Sequence, residues 1–262
     1  PMPPKAVGGD ADRTRKIQWC NLYSRKVIMR NYIIIGNGAA GVTAAQELRR
    51  RDARSTVSVI TDERHAMYSR PGLAYILINE VTVEQSIARK PEWYARHHIN
   101  LIYSRAERID FDAKCVTLAN GQALSYDALL IAVGASAVPA PFPGGKLDGI
   151  VYLDTLDNTL DIMERAKTAK AAVVVGGGIT ALEMAEGLAH LGVETHYLSR
   201  KSNLWSTLLN DNESKLVEKQ MLHHGVIIHY GREIAEIVGE NGRVVGVKTN
   251  RDEIIPCEIV GV

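Results

Sequence analysis

An apolar run breaks into glycine at Tyr32-Ile33-Ile34-Ile35-Gly36-Asn37-Gly38-Ala39-Ala40-Gly41-Val42, and an alanine-rich stretch follows at once. Strand, Gly-x-Gly-x-x-Gly turn and helix in that order leave few folds open, because each glycine meets a separate steric demand. Gly36 permits the sharp turn off the strand, Gly38 presents bare backbone to a pyrophosphate, and Gly41 lets the helix lie close against the strand. The helix start at Ala39 and Ala40 offers unpaired N–H groups and partial positive charge to phosphate oxygens. The next apolar run, 57–60, ends in Thr61-Asp62-Glu63. A carboxylate there is placed to accept the hydroxyls of an adenosine ribose. Glu63 is the expected ligand, with Asp62 beside it.

The theme recurs. An apolar strand over 171–175 leads into Gly176-Gly177-Gly178-Ile179-Thr180-Ala181, a Gly-x-Gly-x-x-Ala turn, and a helix is predicted over 182–191. Two such units in one chain are far more specific than one. They imply two nucleotides brought together, as hydride transfer between cofactors requires. The second unit differs where its next strand ends: Ser199-Arg200-Lys201 replaces an acid. An acid repels a ribose 2′-phosphate, whereas a serine followed by two cations accepts one. NADP is therefore favoured over NAD.

Charge and cysteine content narrow the partners. Net charge is +1, from 31 basic and 30 acidic residues, so neither nucleic acid nor an anionic membrane is implied as partner. No apolar stretch is long enough to span a bilayer. Cys20, Cys115 and Cys257 are far apart with no Cys-x-x-Cys, which implies no disulfide framework or thiolate metal cluster; the cytoplasm is the expected compartment. Residues 1–28 carry Pro, Gly and scattered cations without periodicity, and are expected to be a disordered leader or upstream sequence, Met29 marking the natural start.

Between the glycine turns the chain reads as a helix over 84–98, a strand over 100–103 and a small meander turning at Ala119-Asn120-Gly121-Gln122. A buried strand at Asp127-Ala128-Leu129-Leu130-Ile131-Ala132-Val133-Gly134 ends in small residues, which suits close approach of a ligand. Pro71 biases Arg70 toward an extended conformation, so the arginine projects from a loop or helix start. The second half is expected to continue with a helix over 213–224 and a hairpin turning at Gly239-Glu240-Asn241-Gly242. The adjacent pairs His97-His98 and His223-His224 read as solvated helix ends rather than metal ligands.

Ile35-Gly36-Asn37-Gly38-Ala39-Ala40-Gly41, Tyr68-Ser69-Arg70-Pro71, Tyr126-Asp127-Ala128-Leu129-Leu130-Ile131-Ala132-Val133-Gly134 and Val175-Gly176-Gly177-Gly178-Ile179 through Glu183 together resemble the FAD-dependent pyridine nucleotide-disulfide oxidoreductases. The likeness is strongest to the branch holding NAD(P)H–rubredoxin and ferredoxin reductases, NADH oxidases and the reductase part of nitrite reductase. It implies an α/β fold of two Rossmann-like dinucleotide-binding domains. Each would be three-layered, with a central parallel sheet and a small β-meander, and the second would be inserted in the first. It implies an FAD-binding part over 29–143, an NAD(P)H-binding domain over 144–255, and the start of a return to the FAD domain at 256–262, with the rest of that domain beyond the chain.

The resemblance also implies site roles. FAD would lie on the first glycine turn, with Arg70 and Pro71 along the flavin, Ala106 meeting the adenine through its backbone, and Ala132 and Gly134 lining the cleft. NADP, or NAD as second choice, would lie on Gly176, Gly178 and Ile179. Glu183 matches the glutamate near the meeting point of nicotinamide and flavin, the implied catalytic residue. Pro71 stands before Gly72-Leu73-Ala74-Tyr75 where some relatives carry a redox cysteine, so electrons would leave the flavin directly. They would pass to an iron–sulfur protein of rubredoxin or ferredoxin type, or to a small acceptor. The resemblance further implies a homodimer formed through a C-terminal domain that lies beyond this chain. The competing reading is a non-catalytic flavin-bearing subunit or sensor in a larger redox complex.

Overall fold

Both apolar runs are continuous because their strands are covered on both faces. In β1 (Asn31–Ile35) the side chains alternate strictly: Ile34 packs with Val42 and Ala45 of the following helix, while Ile33 and Ile35 pack with Val116 and Leu118 of the meander. β9 (Ala171–Val175) repeats the division, with Ala172 and Val174 on the helix side and Val173 facing Ile237 and Val247. The computed structural model describes residues 29–262 except 206 and 207. The leader expected over 1–28 lies outside the described residues.

The first unit runs β1, α1 (Ala39–Arg51), β2 (Thr56–Thr61), α2 (Gly72–Leu77), α3 (Val83–Ser86), α4 (Pro91–Arg96), β3 (Ile99–Tyr103), β4 (Ala106–Asp110), β5 (Cys115–Leu118), β6 (Ala123–Ser125) and β7 (Ala128–Ile131). Its parallel sheet has the order β3-β2-β1-β7, and β4-β5-β6 form the antiparallel meander. The second runs β8 (Ile150–Val151), α5 (Leu156–Ala166), β9, α6 (Ile179–His190), β10 (Glu194–Ser199), α7 (Asp211–His223), β11 (Ile227–Tyr230), β12 (Ile234–Glu240), β13 (Arg243–Thr249), β14 (Ile254–Pro256) and β15 (Ile259–Gly261). Its parallel sheet has the order β11-β10-β9-β15-β8, and β12-β13-β14 form its meander.

Several expectations need correction. The helix over 84–98 is two short helices. Lys90, preceding Pro91, is extended (ψ 158°), and Pro91 opens α4 at a position where its missing N–H costs nothing. The second hairpin turns on Asn241 and Gly242 alone, both at positive φ (50° and 79°), the type I′ geometry that Asn-Gly favours. Residues 256–262 do not begin a return to the first sheet: β15 lies between β9 and β8 and occupies in the second sheet the place of β7 in the first.

The two units match bond for bond. Asp127 N–H donates to Asn31 O (2.8 Å) and the Asp127 carboxylate accepts from Asn31 N (2.7 Å). Glu258 N–H donates to Ala171 O (3.1 Å) and its carboxylate accepts from Ala171 N (3.0 Å). In each sheet one acid therefore pins the strand that follows the meander, β7 or β15, to the strand that leads into the glycine turn, β1 or β9.

At the end of α1 a single cation gathers five carbonyls. Arg49 donates to the backbone oxygens of Asp52, Ala53, Ser55, His97 and His98, at 2.8–3.2 Å. This ties the helix C-terminus to the lead-in of β2 and β3 and opposes the helix dipole. Arg49→Met keeps the stem but leaves those carbonyls short of donors. It is expected to lower stability by about 2 kcal/mol in urea unfolding; an unchanged midpoint would contradict this role.

Candidate functional site

From β1 the chain builds outward through β2 and β3 and then crosses to β7 on the other side, and from β9 it builds through β10 and β11 and then crosses to β15, which places a switch point between β1 and β7 and another between β9 and β15. Ligands of open parallel sheets bind there, beyond the carboxyl ends of the strands. A cleft of about 600 Å³ lies at the first. Gly36, Gly38, Asp62, Glu63, Arg70, Ala106, Ala132 and Gly134 line it, so the structure brings together residues spread over nearly a hundred positions. Ala39 and Ala40 are exposed in the first turn of α1, and Pro71 is exposed beside Arg70.

The glycines divide the work as their spacing predicts. Gly36 has φ +116°, and a Cβ there would lie 2.1 Å from Ala132 O. A Cβ on Gly41 would lie 2.0 Å from Gly36 O. At Gly38 a Cβ would meet no protein atom within 4 Å, so that position faces open cleft. The turn is braced from below by buried Tyr94, whose hydroxyl donates to Asn37 Oδ1 at 2.6 Å. The cradle has the shape and donors to take a dinucleotide pyrophosphate.

The acidic pair splits. Asp62 lies 3.3 Å from the Arg105 guanidinium, whereas both Glu63 oxygens are engaged, by the Tyr68 hydroxyl and by Arg70. Arg70 also donates to Asp154 O, and Tyr68 accepts from Leu156 N at 3.1 Å. His65 Nε2 lies 2.9 Å from Asp157, and this hydrogen bond holds the Asp157 carboxyl below its ordinary value. The segment after β2 is thus latched to the N-terminus of α5, and Asp154, Thr155 and Asp157 join the first cleft. Sequence spacing does not reveal them, because they arrive from the second unit. The burial and Glu63 contact of Tyr68 push its phenol upward, so it stays a neutral donor.

The second cleft, of about 420 Å³, is lined by Gly176, Gly177, Ser199, Arg200 and Lys201, with apolar walls from Phe142, Leu198, Trp205 and Ile234. Here too a Cβ on Gly178 would meet nothing within 4 Å, while one on Gly176 would strike Ala181 Cβ at 2.6 Å. Gly178 and Ile179 stand exposed at the start of α6. Buried Tyr197 donates to Gly176 O and fixes this glycine turn as Tyr94 fixes the other; burial pushes its phenol up to about 12. Trp205, Tyr197 and Glu233 line this cleft without a motif to announce them, although matching the two halves strand by strand places Glu233 opposite Arg105.

Glu183 lines neither cleft. It is half-buried on α6, one turn before Gly187, whose face meets Leu77 of α2 at the junction of the units. Burial, and then the neighbouring charge of Glu186, raise its carboxyl above the ordinary 4.5. Its ionised form is less favourable folded than unfolded, so the charge subtracts stability above the raised value and none below 4.5. Glu183→Gln is therefore expected to raise Tm by about 1–2 °C at neutral pH, after solvent screening. The gain should vanish in melts below pH 4.5. A gain that persisted there would rule out ionisation as the cause.

Neither described cysteine reaches a cleft: Cys257 is buried in the core of the second unit and Cys115 lies on β5 of the first meander. Among the described residues no group of His, Cys, Asp and Glu is arranged to hold a metal, and no helix is long and apolar enough to cross a membrane.

The family described as pyridine nucleotide-disulphide oxidoreductase matches residues 30–262. The chain is 29% identical over 230 residues to rhodocoxin reductase of Rhodococcus erythropolis, covering 87% of this chain and 54% of that protein. It is 26% identical over 230 residues to rubredoxin-NAD(+) reductase of Pseudomonas putida, covering 87% and 60%. A crystal structure of a ferredoxin reductase from Rhodopseudomonas palustris has the same fold, with TM-score 0.82 and 28% identity over 89% of this chain and 58% of that one. The chain spans between half and two thirds of the length of these relatives.

Proposed function

Because the chain belongs to the pyridine nucleotide-disulphide oxidoreductase family, we propose that it is the nucleotide-binding part of an FAD-dependent NAD(P)H oxidoreductase that passes electrons to an iron–sulfur protein of rubredoxin or ferredoxin type. The observation that carries this reading is the pair of matched clefts on glycine turns: Gly38, open at a helix start, lines the first, and Gly176 and Gly177 line the second, next to the open Gly178 at the start of α6. When bound, FAD accepts hydride from NAD(P)H and can release electrons one at a time. The protein's part is placement. Gly38 and the α1 N-terminus would receive the FAD pyrophosphate, with Asp62 or Glu63 at the ribose and Arg70 along the flavin. Gly178 and the α6 N-terminus would receive the second pyrophosphate, with Arg200 and Lys201 at a 2′-phosphate. Glu183, at the junction of the units, would orient the nicotinamide end. The similar rhodocoxin reductase and rubredoxin-NAD(+) reductase are named for rhodocoxin and rubredoxin, and two described clefts lined without cysteine favour direct transfer over thiol exchange.

The test is anaerobic titration of the FAD-loaded protein from its complete reading frame. NADPH should bleach the flavin absorbance stoichiometrically, and adding oxidised rubredoxin or ferredoxin should restore it. Flavin that binds but stays oxidised under excess NADPH and NADH would refute the enzyme reading and leave a non-catalytic flavin carrier.

A further inference from the structure

The two clefts carry the same three charged positions with their signs exchanged. The match is fixed by backbone bonds. Ser104 N–H donates to Thr61 O (2.8 Å) as Arg232 N–H donates to Ser199 O (3.1 Å), and Ala119 N–H donates to Arg105 O (2.9 Å) as Asn250 N–H donates to Glu233 O (3.0 Å). Asp62 therefore corresponds to Arg200, Glu63 to Lys201, and Arg105 to Glu233. The first cleft has two acids at the strand end and a base at the start of its meander; the second has two bases at the strand end and an acid at the start of its meander. All three groups line the cleft in each case. In the first, the opposed pair is closed, with Arg105 3.3 Å from Asp62.

We propose that Glu233 is a specificity-determining residue of the second cleft, opposing the 2′-phosphate that Arg200 and Lys201 attract and so limiting the preference for NADP(H) over NAD(H). This rests on the reading of that cleft as the nicotinamide-nucleotide site. The physical basis is simple. A phosphate monoester near neutral pH carries more than one negative charge, and a carboxylate facing it across a cleft walled by apolar side chains repels it. An unphosphorylated ribose feels no such repulsion. It gains instead an acceptor for its hydroxyls, the role that Asp62 or Glu63 would fill from the other wall of the first cleft. One carboxylate thus moves the two affinities in opposite directions, which a purely structural residue would not do.

The test is equilibrium binding of adenosine 2′,5′-bisphosphate and adenosine 5′-monophosphate to the FAD-supplemented chain at low salt, with circular dichroism confirming the fold of each variant. Glu233→Gln should tighten the bisphosphate about 5- to 10-fold, an effect that shrinks as salt is added, and should leave or slightly weaken the monophosphate. Arg200→Ala should weaken the bisphosphate alone. Arg200→Asp combined with Lys201→Glu and Glu233→Arg copies the signs of the first cleft and should reverse the preference. If Arg200→Ala lowers the bisphosphate preference but Glu233→Gln leaves it unmoved or shifts both ligands equally, the role of Glu233 is refuted while the site reading stands. If neither ligand binds the wild-type chain, or Arg200→Ala changes nothing, the site reading fails and this inference with it.

Discussion

Gly36→Ala is expected to cost the first unit more than about 3 kcal/mol of stability, whereas Gly38→Ala, two residues along the same turn, should leave the fold intact and lose the ligand. At Gly36 an added methyl would lie 2.1 Å from Ala132 O, in a backbone conformation (φ +116°) that side chains rarely adopt. The clash is with the backbone of β7's extension, so relief requires parting β1 from β7. At Gly38 the backbone is extended (φ −84°, ψ −171°), open to any residue, and the methyl would point into empty cleft. Loss of the N-cap glycine costs under about 1 kcal/mol. FAD affinity should nonetheless fall about 10- to 100-fold, or about 1.4–2.8 kcal/mol, because the methyl occupies the path of the pyrophosphate. Thermal melts without ligand and FAD fluorescence quenching separate the two effects. Equal destabilisation by both substitutions, or full FAD affinity in Gly38→Ala, would contradict this division of labour.

The second large effect concerns the joint between the units. Leu77, at the end of α2 in the first unit, is fully buried in the core of the second, packed with Ala185 and Leu188 of α6. Gly187 makes room for it: a Cβ there would lie 2.7 Å from Leu77 Cβ and 2.8 Å from Leu77 Cδ1. Leu77→Ala should cost about 2–5 kcal/mol, through lost burial and the cavity left behind. Gly187→Ala sets about 1–3 kcal/mol of overpacking against about 1 kcal/mol of helix propensity gained. The double substitution should cost less than the sum by about 1 kcal/mol or more, since the new methyl fills part of the space the leucine vacates. Urea unfolding of the four proteins reads the cycle. Strict additivity would mean that Leu77 and Gly187 do not share a contact. This joint also carries Glu183, so the same substitutions bear on how the two clefts face each other.

The glycine turns were legible because three isoleucines in series, a glycine pair and alanines state strand, turn and helix without ambiguity, and β1 and α1 fall where that pattern puts them. Helix α5 was not legible. Its buried stripe is Leu156, Thr159, Ile162 and Ala166, where a threonine and an alanine take core positions that a hydrophobic pattern reserves for larger residues; its clear signal is the Thr155 cap on Asn158. Pro91 divides what reads as one helix because a proline that starts a helix looks, in sequence, like one that interrupts it. The place of strand β15 is not readable, because Ile259-Val260-Gly261 states burial but not neighbours; the register with Ala172, Val173 and Val174 is a tertiary fact. For the site, the residues on the glycine turns and strand ends were readable in place. Asp154, Asp157 and Tyr197 were not, since their roles depend on a latch between units and on a hydroxyl reaching a turn carbonyl.

The central claim is that one chain holds two separate, equivalent dinucleotide cradles, FAD in the first and the nicotinamide nucleotide in the second. Titration calorimetry with FAD and then NADP, on the wild type and on Gly38→Ala and Gly178→Ala, tests it directly. One molecule of each should bind per chain, with Gly38→Ala weakening FAD alone and Gly178→Ala weakening NADP alone. Competition between the two ligands for a single site, or either substitution weakening both alike, would contradict it.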